Sequence, residues 1–228
     1  MSLILSIETS SQLCSVALHD QGRLRATSQS EEEGAHAKQL TLLIEEVLKK
    51  AGTKLSSLVG IAISIGPGSY TGLRIGLATA KGLCFGLDKP LIALSTLKIL
   101  AARHADSTQH HILIPVMDAR RMEVYTAVYA NIDLQELEPA KALILDEFAF
   151  AAYRQKNALI FGHGAQKFKE SFPTSMFAFD LENPYPEAIH MGKLAYEAFL
   201  NKNFENLVSV EPDYLKEYMG QKPQKKYI

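Results

Sequence analysis

Two cysteines, Cys14 and Cys84, are the whole thiol content of this 228-residue chain, and both sit among apolar neighbours. A disulfide framework and a thiolate metal site are thereby excluded, and two buried free thiols are expected. Long hydrophobic runs are missing too: none approaches the roughly 20 residues that cross a bilayer. The opening residues, Met1-Ser2-Leu3-Ile4-Leu5-Ser6-Ile7-Glu8, meet a charge too soon for a secretory signal. A cytoplasmic location without membrane contact is therefore expected. Charge of one sign is also scarce, since 24 Lys and Arg face 25 Asp and Glu for a formal net charge of −1. Only Lys222, Lys225 and Lys226 form a dense basic run. Autonomous nucleic-acid binding depends on neutralising phosphates and finds little support here. If RNA is a substrate, a partner would supply most of the positive field.

Several chemistry-bearing motifs are incomplete. Gly66-Pro67-Gly68-Ser69-Tyr70-Thr71-Gly72-Leu73-Arg74-Ile75-Gly76 follows an apolar run and opens a helix-like segment, a setting in which backbone N–H groups gather around anions. Yet it lacks the Lys-Ser/Thr pair of a P-loop and the three-glycine spacing of a dinucleotide site. Ser69 is not in a nucleophile elbow, because Thr71 stands where the second glycine belongs. His36 opens a helix-like segment, but position 40, where a helical metal site would want a second histidine, is Leu40. His110 and His111 are adjacent and would point to opposite faces of a strand. His163, between Gly162 and Gly164, stands alone in a loop. No zinc constellation results.

What remains is an α/β pattern. The 47% apolar content suits a sizeable core, and the length admits one large or two small domains. Strand-like runs are read at Leu3 to Glu8, Cys14 to His19 and Arg23 to Ser28. A helix follows from about Ala37 to Ala51, with Leu40, Leu43, Ile44, Val47 and Leu48 on one face. Next come a strand from Leu58 to Ile65, a helix from Gly72 to Gly86, a short strand from Leu91 to Leu94, and a helix capped by Ser95 or Thr96. The second half repeats this order: strands at His111 to Met117, Met122 to Tyr129 and Ala142 to Leu145, then a helix near Glu147 to Gln155. A strand at Leu159 to Phe161 and helices at Ala165 to Ser171 and Pro186 to Asn201 complete it. Three strands followed by alternating helix and strand, twice over, predict a mixed α/β sheet duplicated in tandem. Lobes are expected over residues 1–105 and 106–219, with a basic tail over 220–228.

The helix from Gly72 to Gly86 is apolar nearly all round. Leu73, Leu77, Ala80 and Cys84 form one stripe, and Gly72, Gly76 and Ala80 an overlapping small-residue stripe. Interior glycines cost about 1 kcal/mol each relative to alanine, so their presence points to a close-packed neighbour, inside the chain or across an oligomer interface. Glu8-Thr9-Ser10 ends the first strand, where α/β folds present ligand groups. It suits a hydrated metal, a phosphate contact, or simply a capped tight turn. Asp118-Ala119-Arg120-Arg121 reads as a solvated turn or an intermolecular contact.

Together, Ile4-Leu5-Ser6-Ile7-Glu8-Thr9-Ser10, the Gly66 to Gly76 run and Asp118-Ala119-Arg120 resemble the bacterial TsaB (YeaZ) family, paralogues of TsaD in the threonylcarbamoyladenosine tRNA-modification system. His36 with Leu40, Ser95-Thr96-Leu97 and Pro212-x-Tyr214-Leu215 fit the same family. The resemblance implies an actin/Hsp70/sugar-kinase-like fold of two ribonuclease-H-like lobes. It also implies a non-catalytic subunit that pairs with TsaD, which transfers threonylcarbamoyl to adenosine 37 of tRNAs reading ANN codons, and that recruits the ATPase TsaE. ATP and metal would be handled by those partners, tRNA would be met only through the complex, and the free chain is left open between monomer and homodimer. Family interfaces run through first-lobe helices, which places Leu40, Leu43, Val47, Leu73, Gly76, Leu77 and Ala80 at or near the seam. Weak nucleotide or phosphate contacts would fall to Glu8, Thr9, Ser10, Gly66 and Gly68. Glu8 departs from the Asp of many relatives and weakens that site; Tyr70 for Phe is a mild change. The rival reading is an ATP-dependent small-molecule phosphotransferase of the same superfamily. It would need a second phosphate loop and a catalytic acid, and the second half offers only Gly162-His163-Gly164.

Overall fold

A computed structural model describes residues 2–32, 34–105, 108–173 and 176–216. The expected tail at 220–228 lies outside the described residues. Strands β1 (Leu3–Glu8), β2 (Cys14–Asp20), β3 (Arg23–Ser30), β4 (Leu58–Gly66) and β5 (Leu91–Ser95) form one sheet in the order β3-β2-β1-β4-β5. β1 pairs antiparallel with β2 and parallel with β4. Every residue of β1 is buried, as in a central strand covered on both faces, so its sequence shows no apolar/polar alternation.

A second sheet repeats the plan. β6 (Ile112–Asp118), β7 (Glu123–Ala130), β8 (Glu136–Ile144), β9 (Ala158–Phe161) and β10 (Ala178–Asp180) run in the order β10-β9-β6-β7-β8. The central β6 again pairs antiparallel with the next strand and parallel with β9. Read from its other edge, this order is that of the first sheet, strand for strand. The architecture is thus the doubled ribonuclease-H-like unit of the actin, Hsp70 and sugar-kinase class.

Helices α1 (Ala35–Lys50) and α2 (Tyr70–Leu87) cover one face of the first sheet, with Leu3, Leu5, Ile7, Val16 and Ile63 beneath them. Its other face, with Ile4, Ala17, Ala62 and Ile92, shares a core with Leu113, Met117, Tyr129 and Phe161 of the second sheet. Helices α3 (Thr96–Ala102) and α5 (Gly192–Leu200) fill that shared layer. Beyond the second sheet, α4 (Ala165–Ser171) closes a third core around Phe150 and Phe168.

The chain then returns to where it began. Met191, Leu194 and Ala195 pack on the inner face of the first sheet, and Glu205 N–H donates to Leu91 O at 2.9 Å. Val210 enters the core under α1 and α2, and Asp213 N–H donates to Ile65 O at 2.7 Å. Residues 188–213, drawn with the second lobe on the sequence, are therefore a strap on the first sheet.

Four second-half elements differ from expectation. The helix at Glu147 to Gln155 is replaced by turns and one 3-10 turn, Ala151–Tyr153, because Phe150 enters the core with φ 58°. A single left-handed residue of that bulk ends any helical run. β8 is longer than expected and carries Pro139 on a sheet edge, where a missing N–H is tolerated. β10 was not foreseen at all. α5 starts at Gly192, preceded by a 3-10 turn, Ala188–Met191, rather than at Pro186.

His19 explains that last difference. Its Nε2–H donates to Ile189 O at 3.2 Å, and its Nδ1 accepts from the Ser6 hydroxyl at 3.1 Å. A Cβ on Gly192 would lie 2.4 Å from both the His19 ring and Gly22 O, so the turn is drawn against β2. Burial pushes the imidazoles of His19, His36, His104, His163 and His190 below their ordinary range, His190 to about 4. These side chains stay neutral in the folded protein while the unfolded chain takes up protons below about pH 6.5. Stability is then lost progressively as pH falls from about 6.5 toward the folded values. Calorimetry from pH 7.5 to pH 5 should show a steadily falling thermal midpoint, and a flat profile would contradict this account.

Candidate functional site

Duplicated sheets of this kind present the C-terminal ends of their parallel strands to the cleft between lobes. In the first lobe these ends are Glu8 on β1 and Gly66 on β4. Glu8 is fully buried, and its Oε1 accepts from Ser10 N–H at 2.6 Å. Burial raises its pKa above the ordinary carboxylate range, against the opposing polar groups of Ser10, Ser64 and the Thr9 backbone. The carboxyl thus braces the turn, and its charge is costly there. Cys14 shares this environment: burial, then the Glu8 charge, pushes its thiol up to about 12.

Thr9 and Ser10 face the glycine run directly. A Cβ on Gly68 would lie 2.4 Å from Ser10 O, one on Gly72 2.1 Å from Thr9 O, and one on Gly76 2.1 Å from Thr9 Oγ1. The glycines therefore admit this chain's own backbone. Two backbone donors here are engaged, Ser69 N–H with Ser10 O at 2.6 Å and Gly72 N–H with Ser69 Oγ at 3.3 Å, the N-cap of α2, whereas the hydroxyls of Thr9, Ser10 and Ser64 are buried without a hydrogen-bond partner. Gly66, with φ 129° and a cis bond to Pro67, is pressed against Asp213 O, which a Cβ would approach to 2.5 Å. The structure thus brings Glu8, Thr9, Ser10 and Gly68 into one seam, while Gly66 beside them meets the strap at Asp213.

The second-lobe counterpart is Asp118, at the end of β6, with Gly162 after β9. Lys167 of α4 binds Asp118 Oδ1 at 2.9 Å and the carbonyls of Arg121 and Glu123 at 2.8 Å. Despite partial burial, Lys167 and the Arg120 N–H hold the Asp118 carboxyl below its usual range. His163 stacks on Tyr185 with ring centroids 5.6 Å apart. Among the described residues no group of three or more His, Cys, Asp or Glu could hold a metal ion.

The residues expected at a partner seam lie elsewhere than expected. Leu40, Leu43 and Val47 of α1 and Leu73, Gly76, Leu77 and Ala80 of α2 are all buried in the chain's own core. One apolar stripe per helix must cover the sheet, and the most regular stripe does so. The opposite face of α2 is the one left open. Thr71, Ala78, Gly82, Phe85 and Gly86 are exposed along it, with Ile75 and Thr79 half-buried. Phe85 is 84% exposed, Leu42 on the neighbouring α1 60%, and a Cβ on Gly82 or Gly86 would meet nothing within 4 Å. At 100° per residue Ala78, Gly82 and Phe85 fall on the side of the helix away from the buried stripe, but periodicity alone does not say which side is the inner one.

Comparison with known proteins supplies the lineage. The family described as tRNA N6-adenosine threonylcarbamoyltransferase, TsaD, matches residues 29–222. A Bacillus subtilis protein named tRNA threonylcarbamoyladenosine biosynthesis protein TsaB is 30% identical, over 93% of this chain and 93% of its own. The chain belongs to the TsaB branch of the TsaD family. A Haemophilus influenzae protein of the same name is 29% identical over 93% of each chain. The solved structure of YeaZ from Pseudomonas aeruginosa superposes on this member of the family with a TM-score of 0.77. It is 28% identical, and the match covers 94% of this chain and all of the other.

Two measurements follow from the seam. Gly72→Ala should cost about 3 kcal/mol, because a backbone carbonyl occupies the added methyl's place. Gly82→Ala, on the open face, should stabilise by up to about 1 kcal/mol. Equal effects in urea denaturation would refute the assignment of the two faces. For Glu8→Gln, the amide oxygen can still accept from Ser10 N–H. The raised pKa means that the folded state holds its proton above pH 4.5 while the unfolded carboxyl ionises, so Glu8 withdraws stability as pH rises. The variant should accordingly be more stable than the parent at pH 8 and show no gain at pH 4.

Proposed function

We propose that this chain is the non-catalytic partner of a TsaD-type transferase in the transfer of threonylcarbamoyl to adenosine 37 of tRNAs reading ANN codons. The observation that carries this reading is the open face of α2, from which Phe85 projects, on a chain whose relatives are named for threonylcarbamoyladenosine biosynthesis. An aromatic ring so exposed, set among Ala78, Gly82 and Gly86, suits an interface better than a solvated surface. Exposed glycines at positions 82 and 86 let a partner helix approach closely. The same face would pair two copies when the transferase is absent.

Leu40 fits a subunit without a metal of its own. It sits one helical turn after His36 and is committed to the core, so α1 has no second imidazole at that place. A TsaE-type ATPase joins the heterodimer in this reading, ATP and metal are held by the partners, and the tRNA is engaged in the assembled complex in the cytoplasm. Among the described residues no helix is long and apolar enough to cross a membrane.

The test is an omission reconstitution: TsaD, TsaE, ATP, threonylcarbamoyl-adenylate and substrate tRNA, with and without this chain. Modified nucleoside should form over many turnovers only when both TsaD and this chain are present. Product from this chain alone would make it an enzyme, and indifference to its addition would return the phosphotransferase reading. Phe85→Asp should weaken heterodimer formation at least 30-fold, about 2 kcal/mol for a central aromatic anchor. The folded monomer should be unaffected, because Phe85 makes no part of the core.

A further inference from the structure

The hairpin between β6 and β7 holds two consecutive arginines in the left-handed region, Arg120 at φ 68° and Arg121 at φ 50°. Such a turn favours Asn-Gly, and each arginine there carries backbone strain. Both are exposed, and neither guanidinium has an ion-pair partner among the described residues. The carboxylates beside them are already neutralised, Asp118 by Lys167 and Glu123 by Lys216.

Lys216 connects this hairpin to a second group on the first lobe. Its Nζ stands 5.8 Å from the centre of the Tyr125 ring, and Tyr214 lies two residues back, at most about 7 Å along the chain. The Tyr214 ring packs 5.1 Å from Tyr70, Arg74 lies over Tyr70 at 4.1 Å, and Arg74 Nε–H donates to the Tyr214 hydroxyl at 3.0 Å. Tyr214 is exposed, as is Arg74, and Asp213 is the exposed acid next to them. The strap thus leads from the exposed Arg74–Tyr214 pair on α2, past Asp213, to the half-buried Lys216 at the foot of the arginine hairpin.

We infer that the groups at the two ends of the strap, Arg74 with Tyr214 and Arg120 with Arg121, are direct contacts for the RNA backbone in the assembled complex. The inference rests on the proposed role in tRNA modification and adds to it a surface of this chain. Phosphates are the groups that the unpaired guanidiniums of Arg120 and Arg121 recognise best, and an unstacked base suits an exposed tyrosine beside an arginine, as Tyr214 stands beside Arg74. A chain of net charge −1 gains little affinity from three cations alone, so the contact takes effect only where a partner supplies the remaining field.

The double variant Arg120→Asn, Arg121→Gly removes both charges and relieves the turn, so it should fold with a thermal midpoint equal to or above the parent's. In the reconstituted complex with TsaD and TsaE it should leave heterodimer size and kcat unchanged. KM for tRNA should rise about tenfold, and the slope of log affinity against log salt should fall in magnitude by about 1.5, near 0.7–0.9 per lost cation. Arg74→Gln should lower that slope by about half as much. An unchanged slope and KM in an active complex would overturn the RNA contact while leaving the proposed function intact. Dissociation of the heterodimer would overturn it in favour of a protein contact. A parent complex with no activity would instead remove the reading on which this surface rests.

Discussion

Backbone meets backbone where the Thr9–Ser10 turn lies against the glycine face of α2, and the rest of the first lobe is arranged around that contact. The places where Gly68, Gly72 and Gly76 would carry side chains are filled by Ser10 O, Thr9 O and Thr9 Oγ1. No residue larger than glycine fits at distances of 2.1–2.4 Å. With α2 drawn in this far, Leu73, Leu77 and Ala80 reach the sheet, while Ala78, Gly82 and Phe85 turn outward. The inner seam and the outer apolar face are thus two consequences of one helix position. Glu8 beneath the turn holds it by its bond to Ser10 N–H, at the cost of a buried carboxyl.

Duplication gives the molecule its symmetry, and the strap breaks it. Both sheets share one strand order, but among the described residues only the first receives the returning segment 188–213. Asp213 closes on Ile65 beside Gly66, Tyr214 packs on Tyr70, and Lys216 reaches Glu123 across the lobes. The second lobe lacks α2's long apolar face: its counterpart α4 has seven residues and spends Lys167 on Asp118 and the hairpin. One lobe therefore carries an open apolar helix face, and the other carries the charged hairpin.

Much of the fold was legible because period and punctuation agreed. The three opening strands, α1, β4 and α2 were all readable, since buried runs, a glycine stop and a glycine-rich start coincide there. The second half was harder. Phe150 bends a helical pattern into turns, Pro139 lies inside a long edge strand, and the three residues of β10 are too few to carry a period. In each case a tertiary contact overrode the local pattern.

The sequence by itself determined the α/β class, the tandem order of elements, the buried thiols and the family, because these follow from periodicity and from a rare glycine-rich motif. Which face of α2 serves which purpose was decided only in three dimensions. An all-round apolar helix has two stripes that local pattern cannot rank, and the carbonyl of Thr9 selects the one that admits it. The same holds for Arg120, Arg74 and Tyr214. Arg74 and Tyr214 lie 140 residues apart, and the strap brings them into hydrogen-bond contact, while the turn at Arg120 is set by the hairpin it closes.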